Sequence, residues 1–187
     1  MDMVGVGVDF SQSLQLPGEA GDGPRTLFYP GSSIGNFTPQ EAQAFLQRAQ
    51  AASPGGNLLI GVDLVKAKAV LDAAYDDALG VTAAFNLNTL AHVNRLLGSD
   101  FALRQWRHVA FFDEAASRIE MHLEARQALT VRWPGGERAF TAGERIHTEN
   151  SCKYTVENFD ALLRRAGYAH TRCWTDQQGW FAVFAAS

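Results

Sequence analysis

The eight residues NLLIGVDL, at positions 57–64, constrain the fold more than any other stretch of this chain. Their apolar side chains run without alternation, which is typical of a strand covered on both faces of its sheet. A second strand-like segment, TLFYP at 26–30, precedes this run. Between the two, TPQE at 38–41 predicts a helix start, with Thr38 as N-cap and Pro39 at the first helical position. The order strand, helix, strand predicts a βαβ unit with parallel strands.

The segments on either side of this unit extend the prediction. MVGVGVDF, at 3–10, alternates valine with smaller residues and predicts a short first strand. Two helices are expected at about 67–79 and about 82–97, with Gly80 as a break between them and Gly98 as the stop.

The pattern changes after Asp100 to antiparallel strands and one further helix. The strand-like segments are HVAFFD, RIEMHLEAR, ALTVRW and RAFTAG, followed after a helix at 156–166 by HTRCWT and GWFAVFAA. The fold class predicted from this order is α/β, an open sheet with an antiparallel C-terminal extension. Ligands of such sheets bind at the carboxyl ends of the strands, so we expect the site there.

Charge and composition exclude several classes of function. The net charge is -4 with no basic stripe, so nucleic acid is not an expected partner. The apolar stretches are too short to span a bilayer, and the N-terminus lacks the basic region of a signal peptide, so we expect no membrane association and a cytoplasmic protein. The two cysteines, Cys152 and Cys173, form no CxxC pair and have no obvious histidine at metal spacing. The sequence therefore predicts neither a disulfide framework nor a metal site.

Two groups of candidate residues follow predicted strands near the N-terminus. The loop GSSIGN, at 31–36, combines glycines that permit a close approach with hydroxyl and amide groups that can bind a polar ligand. An ordinary turn between strand and helix has a similar composition, so both interpretations stay open. Asp9 and Phe10 could pair a carboxylate with an aromatic face to suit adenine, although an ordinary strand-ending Asp is the more common case.

Further candidates lie in the second half of the chain. Tyr75 is followed by Asp76 and Asp77, which could bind a ligand or merely cap the following helix. Met121 shares a face with apolar neighbours, for which core packing is the commoner role. HTENSCKY, at 147–154, lies at a predicted junction between a strand and a helix and could be a plain loop. In an extended segment, however, Glu149 and Ser151 face the same way and could together bind an imidazole.

Taken together, these segments resemble the histidine-specific, S-adenosylmethionine-dependent methyltransferases that trimethylate the α-amino group of L-histidine to hercynine in ergothioneine synthesis. The matching segments, in family order, are VDF, FYPGSSIGNF, LLIGVDLVK, AYDDALGVTAAFNLNTL, RIEMHLEAR, TENSCKY and CWTD. The combination of AYDD, GVTA and FN with TE and SCK is highly specific, whereas a single segment would be weak. The resemblance implies a Rossmann-like class I methyltransferase sheet, S-adenosyl-L-methionine as methyl donor, and L-histidine and its N-methylated intermediates as ligands.

The resemblance also implies roles for individual residues. Asp9 and Phe10 would flank the adenine of the donor, and Gly31 and Ser33 would line the methyl-transfer cleft. The remaining residues would bind the substrate: Asn36 and Tyr75 its amino and carboxylate groups, Glu149 and Ser151 its imidazole, and Met121 would pack near the ring. No residue is expected to serve as a dedicated catalytic base.

The resemblance finally implies a domain organisation and a truncation. Residues 1–100 would form the C-terminal part of the methyltransferase core, 101–154 an antiparallel substrate-binding insertion, and 155–187 the last helix and strand pair. The family's first strands and glycine-rich donor loop do not occur in these 187 residues, so we expect the chain to begin inside a domain and to have little activity alone. The full-length protein is expected to be a monomer. A non-catalytic amino-acid-binding module and a half-domain that needs a partner chain stay as alternatives.

Overall fold

The computed structural model describes residue 3, residues 5–15, residue 18 and residues 23–187. The helices are α1 (Pro39–Ala52), α2 (Lys68–Tyr75), α3 (Val81–Leu97) and α4 (Val156–Arg165). The strands are β1 (Thr26–Tyr29), β2 (Asn57–Asp63), β3 (Trp106–Asp113), β4 (Arg118–Ala125), β5 (Leu129–Trp133), β6 (Gly136–Phe140), β7 (Arg145–Cys152), β8 (Thr171–Thr175) and β9 (Phe181–Ala186). Within the described ranges, no helix is both long and apolar enough to cross a membrane.

The chain divides into two compact units. The first unit contains the residues up to Val65 and those from Cys152 to the end, and the second contains Lys66–Ser151. The second unit begins before the insertion expected at 101–154, because it includes α2 and α3 as well as the antiparallel strands.

The first unit is built on a four-stranded sheet in the order β1-β2-β9-β8. Strands β1 and β2 are parallel and joined through α1, while β9 runs antiparallel to both β2 and β8. The predicted βαβ unit and the α/β fold with an antiparallel extension are thus confirmed. The core of this unit joins the sheet to α1 and α4 through buried apolar side chains that include Phe45, Leu46, Ile60, Phe159 and Phe184.

Gly61 in the middle of β2 permits a close contact between chain segments. A Cβ atom at this position would lie 2.1 Å from the carbonyl oxygen of Pro30 and 2.7 Å from the ring of Phe181. Only glycine therefore lets the residue after β1 pack directly against the centre of the sheet. This contact sets the position of the loop that follows β1.

Local signals in the sequence explain where the helices begin and end. The hydroxyl of Thr38 accepts a hydrogen bond from the Glu41 backbone N–H at 3.3 Å, and the Glu41 carboxylate accepts one from the Thr38 N–H at 2.8 Å. This is the predicted capping box. Gly80 and Gly98 both adopt the left-handed conformation at the two ends of α3, as expected.

The second unit contains a three-stranded sheet, β3-β4-β7, and the β5-β6 hairpin. Strand β4 alternates as its sequence predicts, with Ile119, Met121 and Leu123 buried. These side chains contribute to two apolar clusters, one with Leu71 of α2 and the other with Leu90 of α3. The opposite face of β4 carries Glu120, His122 and Glu124.

Three local predictions were wrong. Residues 5–9 form no strand and residues 10–12 form a turn, while residue 4 of the predicted strand lies outside the described residues. The alternation there places small glycines between half-exposed valines, which offers little packing to stabilise a strand. Helix α2 ends at Tyr75 rather than near residue 79. The strand predicted to end before HTENSC continues through it as β7, so this stretch is extended and not a loop.

Asp77 caps α3, as one of the two interpretations proposed. Its carboxylate accepts hydrogen bonds from the backbone N–H groups of Val81 at 3.0 Å and Thr82 at 2.8 Å. The Thr82 hydrogen bond, followed by that of Val81, lowers the pKa of this carboxyl group from 3.8 to about 2. These bonds satisfy donors at the first turn of the helix, and the negative charge is favourable there.

We predict that Asp77→Asn destabilises the chain in a pH-dependent manner. Since the folded pKa lies below the unfolded value, this stabilisation is complete above pH 3.8 and is lost as the pH falls towards about 2. Thermal unfolding should therefore show a lower midpoint for the variant at pH 6, with a gap to the wild type that narrows under acid conditions. Asp76→Asn, at the neighbouring exposed carboxylate, is the matched control. A difference in unfolding midpoint between Asp77→Asn and the wild type that does not change with pH would contradict the capping of α3 by the ionised Asp77 side chain.

Candidate active site

The carboxyl end of β2 connects three segments of the first unit. The backbone N–H of Asp63 donates a hydrogen bond to the hydroxyl of Ser32 at 2.8 Å, and its carbonyl oxygen accepts one from Tyr154 at 3.2 Å. Its carboxylate forms a salt bridge of 2.8 Å with Lys153, whose side chain is only 1% exposed. A buried ammonium group requires such a partner. Asp63 thus positions both the loop after β1 and the chain entering α4.

The loop GSSIGN is fixed to β2 by a hydrogen bond, while Gly31, Ser33 and Asn36 in it are exposed. Ser32 adopts the left-handed conformation, with φ 57°, which is unfavourable for a residue other than glycine. Its hydroxyl bond to β2 and the bond from the Gly35 N–H to its carbonyl oxygen, at 2.9 Å, maintain that conformation. Ser33 and Asn36 lie at the two ends of a 3-10 turn and are exposed. A Cβ at Gly31 would meet only the Ser33 hydroxyl, at 3.9 Å, so there is room above this residue.

Asp9 and Phe10 provide a carboxylate and an aromatic ring. Asp9 accepts hydrogen bonds from Ser11 and Gln12, and the bonds from Ser11 lower the pKa of its carboxyl group. The carboxylate is therefore anionic at neutral pH. The ring of Phe10 contacts that of Tyr29 edge to face, with centroids 5.9 Å apart. It also lines an apolar groove of about 240 Å³ with Leu27, Tyr29, Phe45 and other apolar residues.

In the second unit, the structure brings together several of the residues predicted to bind the substrate. The hydroxyls of Tyr75 and Ser151 are hydrogen bonded at 2.9 Å. Glu149 lies two residues before Ser151 on β7 and is half-buried. Met121 is a core residue, 4% exposed, in a cluster against which Tyr75 packs. Residues from α2, β4 and β7 therefore converge on Tyr75 and Ser151.

A half-buried histidine, His108, and a buried asparagine, Asn86, hold the chain at Tyr75. The Nε2 atom of His108 lies 2.8 Å from the Tyr75 carbonyl oxygen, which can only accept, so this nitrogen carries the proton. The other ring nitrogen then accepts a hydrogen bond from the Asn86 side-chain amide at 3.0 Å. The same amide donates to the His122 carbonyl oxygen at 3.1 Å. Asn86 thus fixes the His108 tautomer and, through it, the C-terminal end of α2.

Sequence reasoning did not assign roles to several of these residues. Lys153 and Asn86 were noticed only as members of motifs, and Ser32, Asp63 and His108 received no role. Asp63 lies near the end of a predicted strand, and Lys153 lies in the predicted junction before a helix. The available signal was therefore a pair of opposite charges at two predicted element ends. His108 and Asn86 gave no signal, because their bond joins positions 22 residues apart on different elements.

Comparison with known proteins identifies relatives of this sequence. The family model described as "Histidine-specific methyltransferase, SAM-dependent" matches residues 1–187. The histidine N-alpha-methyltransferase of Mycolicibacterium smegmatis is 48% identical over 88% of this chain and 52% of its own length. The enzyme of the same name from Mycobacterium tuberculosis is 44% identical over 96% of this chain and 56% of its own length. The chain therefore spans about half the length of these curated relatives.

A solved methyltransferase structure shows a low similarity to this chain. The crystal structure of an S-adenosylmethionine-dependent methyltransferase from Clostridium acetobutylicum aligns over 96% of this chain and 62% of that chain. The TM-score is 0.47 and the sequence identity 9%, a similarity too low to support an argument about this chain.

We predict that Asn86→Ala destabilises the second unit by about 1 to 3 kcal/mol, because it takes away the donor that bonds the part-buried Nδ1 atom of His108 and the carbonyl oxygen of His122. Asn88→Ala is the matched control, since Asn88 is exposed on the same helix and should change stability by less than about 0.5 kcal/mol. Urea unfolding followed by circular dichroism measures both variants. Equal unfolding midpoints for the two variants would show that the bonds of Asn86 contribute nothing.

Proposed function

The chain belongs to the family of histidine-specific, S-adenosylmethionine-dependent methyltransferases, and we propose that it methylates the α-amino group of L-histidine to give N,N,N-trimethylhistidine, hercynine. Because the chain spans about half the length of its curated relatives, the activity of the whole protein, its substrate and its methyl donor are all part of this proposal. The observation that carries it is the grouping of Glu149, Ser151 and Tyr75 in the second unit.

The chemistry of this grouping suits an imidazole ring. A neutral imidazole has one N–H donor and one acceptor nitrogen, which match a carboxylate and a hydroxyl. Glu149 and Ser151 are two residues apart on β7, so their side chains point to the same face of the strand. The bond between Tyr75 and Ser151 fixes the position of the Ser151 hydroxyl. We propose that these residues select histidine over amino acids that lack an imidazole, with Met121 packing near the ring.

The first unit supplies groups that fit part of the methyl donor. The carboxylate of Asp9 can accept a hydrogen bond from an adenine amino group, and Phe10, which lines the apolar groove, can contact the adenine ring. The open space above Gly31 and the exposed hydroxyl of Ser33 would border the donor's methyl group. When bound, S-adenosylmethionine supplies an electrophilic methyl group on its sulfonium. The residues named here bind and orient this group.

The reaction requires positioning more than acid-base catalysis. Displacement on a methyl carbon needs the neutral amine with its lone pair directed at that carbon, and correct orientation can supply much of the rate. A free α-amino group has a pKa near 8, so part of it is neutral near pH 7. Asn36 carries no charge and can orient the amine without stabilising its protonated form. A dedicated base is therefore not required.

A second candidate function is a half-domain that acts together with a partner chain. Among the described residues, β1 pairs only with β2, and Phe28 on β1 is 68% exposed. An edge strand with a large exposed apolar side chain is suited to receive another strand. This candidate is distinguished from the first by whether the 187-residue chain binds its ligands alone.

We predict that L-histidine binds the chain and that Glu149→Ala weakens this binding by about 5- to 150-fold, the equivalent of about 1 to 3 kcal/mol for a lost buried partner. Isothermal titration calorimetry with and without S-adenosylhomocysteine measures the affinity. Glu114→Ala, at an exposed glutamate in the turn between β3 and β4, is the matched control and should bind histidine normally.

Two results would contradict this proposal. Unchanged histidine binding by Glu149→Ala would remove Glu149 from the site. A folded, monodisperse chain that binds neither histidine nor S-adenosylhomocysteine would show that this polypeptide alone is not the enzyme, and would favour the half-domain.

A further inference from the structure

A second cluster of ligand-forming side chains lies on the polar face of the β3-β4-β7 sheet. Glu120 and His122 are two residues apart on β4, and His147 lies on the neighbouring strand β7. One potential metal-ligand atom from each side chain lies within 4.8 Å of the other two. The two imidazole rings are stacked, with centroids 4.7 Å apart, and Phe111 stacks on the other side of His122. No sequence pattern indicates this cluster, because His147 is distant from the other two residues along the chain.

The donor groups of two of these side chains are already oriented. Arg118 binds only the Oε1 atom of Glu120, with two nitrogens at 2.9 and 2.5 Å, and the other oxygen of this carboxylate faces His122 at 3.5 Å. The Nε2 atom of His147 lies 3.1 Å from the carbonyl oxygen of Glu149 and must therefore donate to it. In neutral His147 the lone pair is thus on Nδ1. A bond from one ring N–H to a backbone carbonyl is typical of histidines that bind metal through the other nitrogen.

His122 has bonding capacity that the described structure leaves unused. Its side chain is only 12% exposed, and its Nδ1 atom is buried without a hydrogen-bond partner. Its Nε2 atom has the Glu120 carboxylate at 3.5 Å, at the outer limit for a hydrogen bond. A largely buried imidazole without strong hydrogen bonds is unfavourable unless another group binds it.

We propose that Glu120, His122 and His147 form a binding site for a divalent transition-metal ion of the Zn²⁺ class. Two imidazoles and one carboxylate are a ligand set that Zn²⁺ accepts, with a fourth position left for water. Ligand atoms of a tetrahedral zinc lie about 3.4 Å apart. The atoms, now within 4.8 Å of one another, must therefore close by up to about 1.4 Å, which rotation of the exposed His147 ring out of its stack with His122 can provide. The nearby cations do not exclude the ion, since Arg118 is paired with Glu120 and Arg145 with Glu124.

Such an ion would connect β4 to β7 next to the residues proposed to bind the imidazole of histidine. His147 lies two residues before Glu149 on β7, and its ring is bonded to the Glu149 backbone. The metal site and the proposed histidine site are nevertheless formed by different side chains. The test of one is therefore independent of the test of the other.

Calorimetric titration of the tag-free 187-residue chain with Zn²⁺ tests the proposal. The titration uses a Cys173→Ser background, because the exposed thiol of Cys173 could itself bind zinc. We expect one Zn²⁺ per chain and no binding of Mg²⁺, which prefers oxygen ligands. His147→Ala and Glu120→Gln should each weaken zinc binding by at least about 10-fold. His92→Ala, at an exposed histidine on α3, should bind normally.

Zinc binding should also raise the thermal unfolding midpoint of the parent chain but not that of His147→Ala. His147 is exposed, so this variant should remain folded, which circular dichroism can verify. The proposal is overturned by absence of zinc binding to the folded parent chain, or by zinc binding that His147→Ala leaves unchanged. Either result would mean that Phe111, His122 and His147 form only a structural stack of rings.

Discussion

The first unit depends on the polar contacts made by Asp63 at the end of β2. Its backbone and side chain together bind Ser32, Lys153 and Tyr154, which belong to segments distant along the chain. Lys153 is almost fully buried, and an ammonium group in that environment is stable only with a partner such as this carboxylate. The pair therefore restricts the ways in which the chain can close around the end of β2. The loop after β1, which carries Gly31, Ser33 and Asn36, takes its position from this restriction.

In the second unit, the alternation of β4 places its core-packing side chains on one face and its polar side chains on the other. One face of β4 carries Ile119, Met121 and Leu123, which are buried in apolar clusters. The other face carries Glu120 and His122, beside His147 of β7. The apolar face fixes the strands, so the polar side chains on the opposite face need not contribute to packing. A sheet held rigid by one apolar face can present ligand-binding side chains on its other, polar face.

The sequence predicted those parts of the fold that depend on local signals. The capping box at Thr38, the glycines at the ends of α3 and the alternation of β4 all act over a few residues, and the structure confirms them. The predicted strand at 3–10 failed because alternation alone supplies no partner strand. Glu149 and Ser151 were recognised as a pair because both lie on one strand. The bonds from His108 to Tyr75 and from the Asp63 N–H to Ser32 join residues about 30 positions apart, which no local pattern indicates.

The left-handed backbone at Ser32 has a consequence for how this loop can vary in evolution. Glycine at this position would relieve the unfavourable conformation, and so would be acceptable to the fold by itself. It would also remove the hydroxyl that accepts a hydrogen bond from the Asp63 N–H, and the loop would lose its side-chain bond to β2. Selection for stability alone and selection for a fixed loop therefore favour different residues here. A serine retained among relatives at this position would therefore indicate selection for a fixed loop rather than for stability alone.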